Sequence, residues 1–101
     1  MLEIKKFAAI DIGSNAIRLL ISNVIISEDR EPQFKKSSLV RVPIRLGADA
    51  FTNNGIISDT NISRLIDAME AFKLLMNVHG VAQYKACAFL SSDMTFSRNI
   101  H

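Results

Sequence analysis

The sequence holds a single cysteine, Cys87, so an intrachain disulfide is excluded and a zinc site built on cysteines is not expected. No apolar run reaches the ~18–20 residues that a helix needs to cross a bilayer. Residues 1–6 lack the apolar stretch and small-residue cleavage site of a signal peptide. From these absences we expect a cytoplasmic protein with no membrane partner.

An excess of one charge is also missing. The 12 basic and 10 acidic residues leave a formal net charge of +2, which is too small to predict nucleic acid as a partner. Hydrophobic residues make up 49% of the chain and charged residues 22%, the balance of a globular rather than a disordered chain. The length of 101 residues allows one domain at most.

The apolar pattern predicts three strands in the first half of the chain. Residues 7–12 and 17–26 are apolar and β-branched, and the turn residues 13–15 join them into an antiparallel hairpin. Residues 34–46 alternate loosely and predict a third strand. That strand belongs at an edge of the sheet, because Pro43 cannot donate a ladder hydrogen bond.

A helix and a fourth strand follow in the pattern. Residues 58–60 offer side-chain oxygens for a helix N-cap, and Gly80 suits the position just after the helix ends. Between them, apolar side chains spaced by three and four form one stripe: Ile62, Leu65, Ile66, Met69, Phe72, Leu75 and Met76. Residues 81–90 predict the fourth strand. A helix that returns the chain to a new strand implies a crossover and a parallel pairing.

Three strands in a meander, a helix crossover and a fourth strand predict an α/β fold with one mixed sheet. The single helix covers one face of that sheet, whereas sheets of this kind are normally covered on both. The chain, residues 1–101, therefore reads as one incomplete domain. Its uncovered apolar face predicts self-association into a homo-oligomer.

The segment from Asp11 to Arg18 gathers groups that suit phosphate and a metal ion. A carboxylate at the end of an apolar strand is costly to bury without a partner, so Asp11 is a candidate metal ligand. Gly13 permits a positive φ and a close backbone approach, and successive N–H groups in such a turn bind anions. Ser14 and Asn15 add polar side chains, and Arg18 adds a guanidinium suited to phosphate oxygens.

Other interpretations of the segment stay open at this point. A plain hairpin turn, in which Asp11 accepts hydrogen bonds from its own backbone, has about equal weight. The chain has neither of the two common glycine-rich phosphate motifs, G-x-x-x-x-G-K-[ST] and G-x-G-x-x-G. An Asp-x-Gly triplet also occurs in aspartic protease lobes, but Arg18 and the lack of a second triplet argue against that class.

The segment resembles the N-terminal motif of the exopolyphosphatase and guanosine pentaphosphate phosphatase (Ppx/GppA) family, Asp-x-Gly-Ser-Asn-(Ser/Thr)-x-Arg-Leu. One position departs, because Ala16 stands where the family has a hydroxyl residue. The resemblance continues through residues 45–47, residues 55–58, the helix, and the Gly-Val pair after it. It covers about residues 6–88.

The resemblance implies an actin-like, ribonuclease-H-type fold, of which this chain holds part of the first domain. It implies Mg²⁺-assisted hydrolysis of the terminal phosphate of polyphosphate or guanosine pentaphosphate (pppGpp). Phosphate binding is then expected at Gly13, Ser14, Asn15 and Arg18, and metal binding at Asp11. Residues 45–47 and the helix are expected to be scaffold.

Residues 89–101 depart from the family pattern. The family continues after this point with Thr-Ser-Ala-x-Arg, whereas this chain has Phe89 to Asp93, and Arg98 is a weak substitute for the missing arginine. The family's general-base glutamate and second phosphate motif also have no counterpart here. We therefore expect a truncated or frame-shifted fragment that is inactive alone. A non-catalytic phosphate-binding module and a sugar-kinase-like ATPase of the same fold are the alternatives.

Overall fold

The computed structural model describes residues 2–48, 56–89 and 95–96. Four long elements form a sheet and one long helix lies against it. In chain order the elements are β1 (Glu3–Gly13), β2 (Ile17–Ser27), β3 (Arg30–Val42), β4 (Ile56–Ile57), α1 (Asp59–His79), β5 (Gln83–Phe89) and β6 (Thr95–Phe96).

The main sheet has the strand order β3-β2-β1-β5. The pairs β1/β2 and β2/β3 are antiparallel, and β5 runs parallel to β1 on its other side. The helix α1 makes the crossover that a parallel pairing requires. The predicted meander, helix crossover and fourth strand are therefore confirmed, in an α/β fold.

The first and third strands differ from the predicted bounds. β1 begins at Glu3 rather than at residue 7, because Lys5 and Lys6 pair with the apolar-rich strand β2. β3 covers Arg30–Val42 rather than residues 34–46. It ends before Pro43, which has no N–H to give to a ladder. The chain then leaves the sheet, and Ile44 and Leu46 become fully buried in the core.

The core lies between α1 and one face of the sheet. Ile10 on β1 and Leu19 on β2 are register partners, and both are buried. From the helix side the buried residues are Ile62, Leu65, Ala68, Phe72 and Met76. Ile66, Met69 and Leu75 are partly buried against this cluster. The predicted apolar stripe is thus the face that packs on the sheet.

Both ends of α1 carry caps that the sequence predicted. The Ser58 hydroxyl oxygen accepts a hydrogen bond from the Asn61 N–H at 3.2 Å, so Ser58 is the N-cap among the three candidates. Gly80 adopts a left-handed conformation with φ of 72° and donates to the carbonyls of Asn77 and Met76. A helix that begins and ends at fixed residues holds its apolar stripe in register with the sheet.

A second, small sheet was not predicted. β4 and β6 pair in parallel over two residues each. The Asn-Asn-Gly sequence at residues 53–55 predicts a turn, and these residues lie outside the described part of the chain. Within the part of the chain that is described, no helix has both the length and the apolar character needed to cross a membrane.

Candidate functional site

The connection between β1 and β2 is a tight turn at one end of the sheet. The Gly13 N–H donates to the Ala16 carbonyl at 2.9 Å, which closes the turn. Ala16 and Ile17 are fully buried, whereas Ser14 is half-buried and Asn15 is exposed. The buried pair fixes the end of the turn, so the polar residues between the strands project from a rigid base.

A second segment supports the turn from outside. Residues 46–48 form a helical turn, and the Gly47 N–H donates to the Ser14 carbonyl at 2.6 Å. A Cβ at position 47 would lie 3.2 Å from the Ser14 Cβ and 3.3 Å from the Ser14 carbonyl oxygen. Gly47 is therefore needed for space. The expectation that residues 45–47 act as scaffold agrees with this contact.

Gly13 serves a different purpose from the one expected. Among the described glycines only Gly80 has a positive φ, so Gly13 does not use its access to that conformation. A Cβ at Gly13 would instead lie 3.2 Å from the Ala16 carbonyl oxygen and 3.9 Å from the Arg18 guanidinium. The glycine makes room for the closing hydrogen bond and for the guanidinium beside it.

Asp11 and Arg18 face each other across the hairpin. They are register partners, and Arg18 Nη1 lies 3.8 Å from Asp11 Oδ2. The two side chains are 42% and 43% exposed, so solvent screens the pair and its net contribution to stability is small. A guanidinium has five N–H donors, and a single long contact leaves donors available for an anion.

The second carboxylate oxygen of Asp11 is buried and has no hydrogen-bond partner. This excludes the interpretation in which Asp11 caps its own turn. A buried acceptor without a partner is rare and costly in a protein, and a bound ion or water is a common explanation. The atom therefore fits a role as a ligand.

The donor set suits a magnesium ion better than a metal held by protein alone. The described residues include no group of three or more His, Cys, Asp or Glu side chains that would enclose a metal. Mg²⁺ is usually bound through one or two carboxylates, with waters and substrate phosphates completing its shell. One carboxylate oxygen from Asp11, beside the turn where phosphate binding is expected, matches that pattern.

The structure thus brings the predicted site residues to one end of the sheet. Asp11, Gly13, Ser14 and Arg18 lie on or beside the turn, and Asn15 is at its tip. Arg98, the weak substitute for the arginine of the family, lies outside the described residues.

Two neighbours of this site were not recognised from the sequence. Cys87 on β5 is the register partner of Asp11, and it is half-buried. Arg41 on β3 is the register partner of Arg18. The alternation of buried and polar residues along each strand gives the face on which these side chains lie, but the strand register that pairs them is set by tertiary structure.

The sequence matches no family model, and no curated protein matches it. Solved structures do match. A Ppx/GppA family member from Aquifex aeolicus is 26% identical, with a TM-score of 0.72, and the match covers 85% of this chain and 26% of that one. An exopolyphosphatase from Cytophaga hutchinsonii is 25% identical, with a TM-score of 0.68, and the match covers 83% of this chain and 25% of that one.

A third structure, of an exopolyphosphatase-like protein, is 25% identical, with a TM-score of 0.68 and 85% of this chain covered. The chain spans about a quarter of the length of each of these proteins. The resemblance to the N-terminal part of the Ppx/GppA family and to its actin-like domain is thereby confirmed.

Proposed function

We propose that this chain is the phosphate-binding N-terminal part of a Ppx/GppA-type phosphatase. The activity to which it contributes is the Mg²⁺-assisted hydrolysis of a terminal phosphate from polyphosphate or from guanosine pentaphosphate. The chain supplies the first phosphate-binding element of that site. Alone, it binds phosphate without turning it over.

The observation that carries this proposal is the turn from Asp11 to Arg18. A carboxylate with a buried oxygen that has no hydrogen-bond partner, a tight turn closed by the Gly13 N–H and a guanidinium lie together at the end of one hairpin. The hairpin belongs to a fold shared with an exopolyphosphatase and with a Ppx/GppA family member. Because the structures that support this comparison are an exopolyphosphatase and a Ppx/GppA family member, we prefer the phosphatase to a kinase of the same fold.

Each residue has a role that follows from its chemistry. The N–H groups of Ser14 and Asn15, with their polar side chains, face the phosphate oxygens, and Gly13 keeps the turn tight. Arg18 donates to the same oxygens through its fork of N–H groups. Asp11 holds Mg²⁺ or its waters, and the ion when bound neutralises negative charge on the phosphate chain.

Hydrolysis needs one more group that this site does not supply. A general base has to lie within hydrogen-bond reach of the attacking water. Asp11 is engaged with Arg18 and, in this proposal, with the metal. In the family that this chain resembles, the general base and the second phosphate motif come from a later segment. Phosphate binding without release is therefore the expected behaviour of these 101 residues.

Calorimetric titration with tripolyphosphate, with and without Mg²⁺, tests the proposal. We expect binding that Mg²⁺ strengthens, and we expect Asp11→Ala to remove the Mg²⁺ effect. Asp29→Ala is the matched control, because it removes an exposed carboxylate at the β2–β3 turn, the far end of the same sheet. An equal loss in both variants, or no binding by the unaltered chain, would contradict the proposal.

A parallel assay of phosphate release from long-chain polyphosphate tests the statement about turnover. We expect no release from the unaltered chain or from Asp11→Ala. Release that disappears in Asp11→Ala would mean that these residues, or an oligomer of them, form a complete catalytic site. That result would refute the prediction that the chain is inactive alone, but it would support the proposal of phosphatase activity.

A further inference from the structure

Arg41 extends the line of charges at the site by one strand. Asp11 on β1 is the register partner of Arg18 on β2, and Arg18 is the partner of Arg41 on β3. No register shift falls between Arg18 and Arg41, because the two irregularities of this strand pair lie farther along, after Ile21 and Ile25. The three side chains therefore form one row across the sheet.

Neighbouring residues confirm that Arg41 lies on the same face as the site. Val40 and Val42, on either side of it in β3, are packed against the core beneath α1. Side chains alternate along a strand, so Arg41 faces the other way. Leu19 and Ile17 flank Arg18 in the same manner and are fully buried. Both arginines thus lie on the face of the sheet away from the helix.

The two arginines form a like-charged pair, and the described residues place only one carboxylate, that of Asp11, in an ion pair with either of them. Arg18 has one long contact with Asp11, and Arg41 has no ion pair within the described residues. Directly opposed side chains on paired strands lie about 4.5–5.5 Å apart at their Cβ atoms, and like charges at that spacing are destabilising. Arg41 is exposed, so packing does not require an arginine there. An anion between the two guanidiniums would remove the repulsion.

We propose that Arg41 binds a second phosphoryl group, next to the one that the turn and Arg18 hold. The inference rests on the proposed function and adds Arg41 as the residue that distinguishes a chain of linked phosphates from a single phosphate ion. A single phosphate ion satisfies the turn and Arg18 alone. A linked phosphate chain runs from the turn along the row and engages Arg41 as well, so Arg41 favours chains over single phosphates.

Competition calorimetry on the full 101-residue chain, with tripolyphosphate and with orthophosphate, tests this. We expect Arg41→Gln to weaken tripolyphosphate binding about tenfold, the loss of one charge-assisted contact, and to change orthophosphate binding less than about twofold. Arg18→Gln is expected to weaken both ligands. Arg41→Lys keeps the charge and is expected to recover part of the tripolyphosphate affinity.

Arg30→Gln is the matched control. Arg30 is an exposed arginine at the other end of β3, eleven residues away and thus about 36 Å along the strand. It carries the same charge, so its removal changes the net charge of the protein equally. We expect no change in the affinity for either ligand.

The outcomes separate this inference from the function on which it rests. If Arg41→Gln binds tripolyphosphate normally while Arg18→Gln does not, Arg41 has no role and the proposed function stands. If Arg41→Gln and Arg30→Gln weaken binding equally, the effect is net charge and the inference fails. If the unaltered chain binds neither ligand, the inference and the proposed function fail together.

Discussion

Asp11 combines two features that a purely structural aspartate would not. One carboxylate oxygen lies 3.8 Å from the Arg18 guanidinium, and the other is buried without a hydrogen-bond partner. Leaving a buried polar atom without a partner costs about 1–3 kcal/mol. The exposed ion pair returns about 0–1 kcal/mol at most. A donor, a water or a metal ion beside the buried oxygen would remove that cost.

Replacement of Asp11 by alanine should consequently separate stability from binding. We expect the free energy of unfolding of Asp11→Ala to stay the same or rise by about 1 kcal/mol, because the orphaned oxygen is removed. Urea unfolding in the absence of phosphate and Mg²⁺ measures this. A loss of more than about 1 kcal/mol would identify Asp11 as a structural residue and count against a ligand role.

At this scale the sequence allowed the candidate residues to be grouped, but it did not predict all their contacts. Asp11, Gly13, Ser14 and Arg18 were predicted as a group, because they lie within eight positions of each other. Arg41 was missed because it lies 23 positions beyond Arg18 and reaches it only through strand register. The sequence also did not predict that Gly13 is close to the Ala16 carbonyl and the Arg18 guanidinium, because the local sequence does not show which atoms lie next to a glycine.

The hairpin turn depends on a second element, the helical turn at residues 46–48. Gly47 donates its N–H to the Ser14 carbonyl, and an added Cβ would make a tight contact of 3.2 Å with the Ser14 Cβ. The position of the turn at residues 13–16, where we propose that phosphate binds, is therefore set partly by a residue more than thirty positions away in the chain. A substitution at Gly47 is therefore expected to change the position of the turn between β1 and β2.

We expect Gly47→Ala to weaken tripolyphosphate binding and to lower the free energy of unfolding by about 1–3 kcal/mol, the usual cost of overpacking. Gly80→Ala is the control. A Cβ there meets no atom within 4 Å, but the positive φ costs about 1–2 kcal/mol. Affinity should fall in the first variant and stay unchanged in the second, as calorimetry with matched samples measures. Equal affinities would show that Gly47 does not position the turn.

The start of α1 offers a separate check on the fold. Ser58→Ala removes the hydroxyl that accepts from the Asn61 N–H and should cost about 1 kcal/mol. Thr60→Ala, an exposed change in the first turn of the helix, is expected to alter stability by less than about 0.5 kcal/mol. Denaturant midpoints of the two variants give the comparison. If Ser58→Ala and Thr60→Ala lower the free energy of unfolding equally, Ser58 is not the N-cap of α1.

The elements themselves were largely predictable from the sequence, whereas the bounds of the strands were not. The helix stripe and both caps follow from local spacing and from residue types with strong preferences, so α1 was found with its ends. β1 was predicted too short because its first residues are polar, and pairing with β2 overrides that local signal. The small β4/β6 sheet joins segments of two residues each, too short to produce a pattern.

One face of the main sheet carries no covering helix in the described part of the chain. Ala9, Leu20 and Leu39 are register partners across three strands and form an apolar row on that face. Leu39 remains 51% exposed and Ala9 is exposed as well. Exposed apolar rows of this kind favour contact with another surface.

We therefore expect the 101-residue protein to self-associate through this face. Leu39→Glu should shift the protein toward monomer, as light scattering after size exclusion over a range of concentrations measures. Leu74→Glu is the matched control, because Leu74 is 66% exposed on α1, on the opposite side of the sheet. A protein that is monomeric at high concentration, or that responds equally to both changes, would contradict this expectation.

The fold as a whole was predicted because its connections are few. A hairpin, a third antiparallel strand and a helical crossover leave only the position of the last strand undecided, and β5 lies beside β1. That position brings Cys87 next to Asp11. The relation to Ppx/GppA proteins came from the ordered series of short motifs, and the shared fold over 85% of the chain agrees with it.

A titration of the ¹⁵N-labelled protein with orthophosphate in the presence of Mg²⁺, followed by amide chemical shifts, addresses the phosphate site itself. We expect the shifts to concentrate at residues 11–18, with a smaller response at Gly47 through its bond to Ser14. Shifts at the basic pair Lys35–Lys36 alone, or at no position, would contradict the assignment of phosphate binding to the Asp11–Arg18 turn.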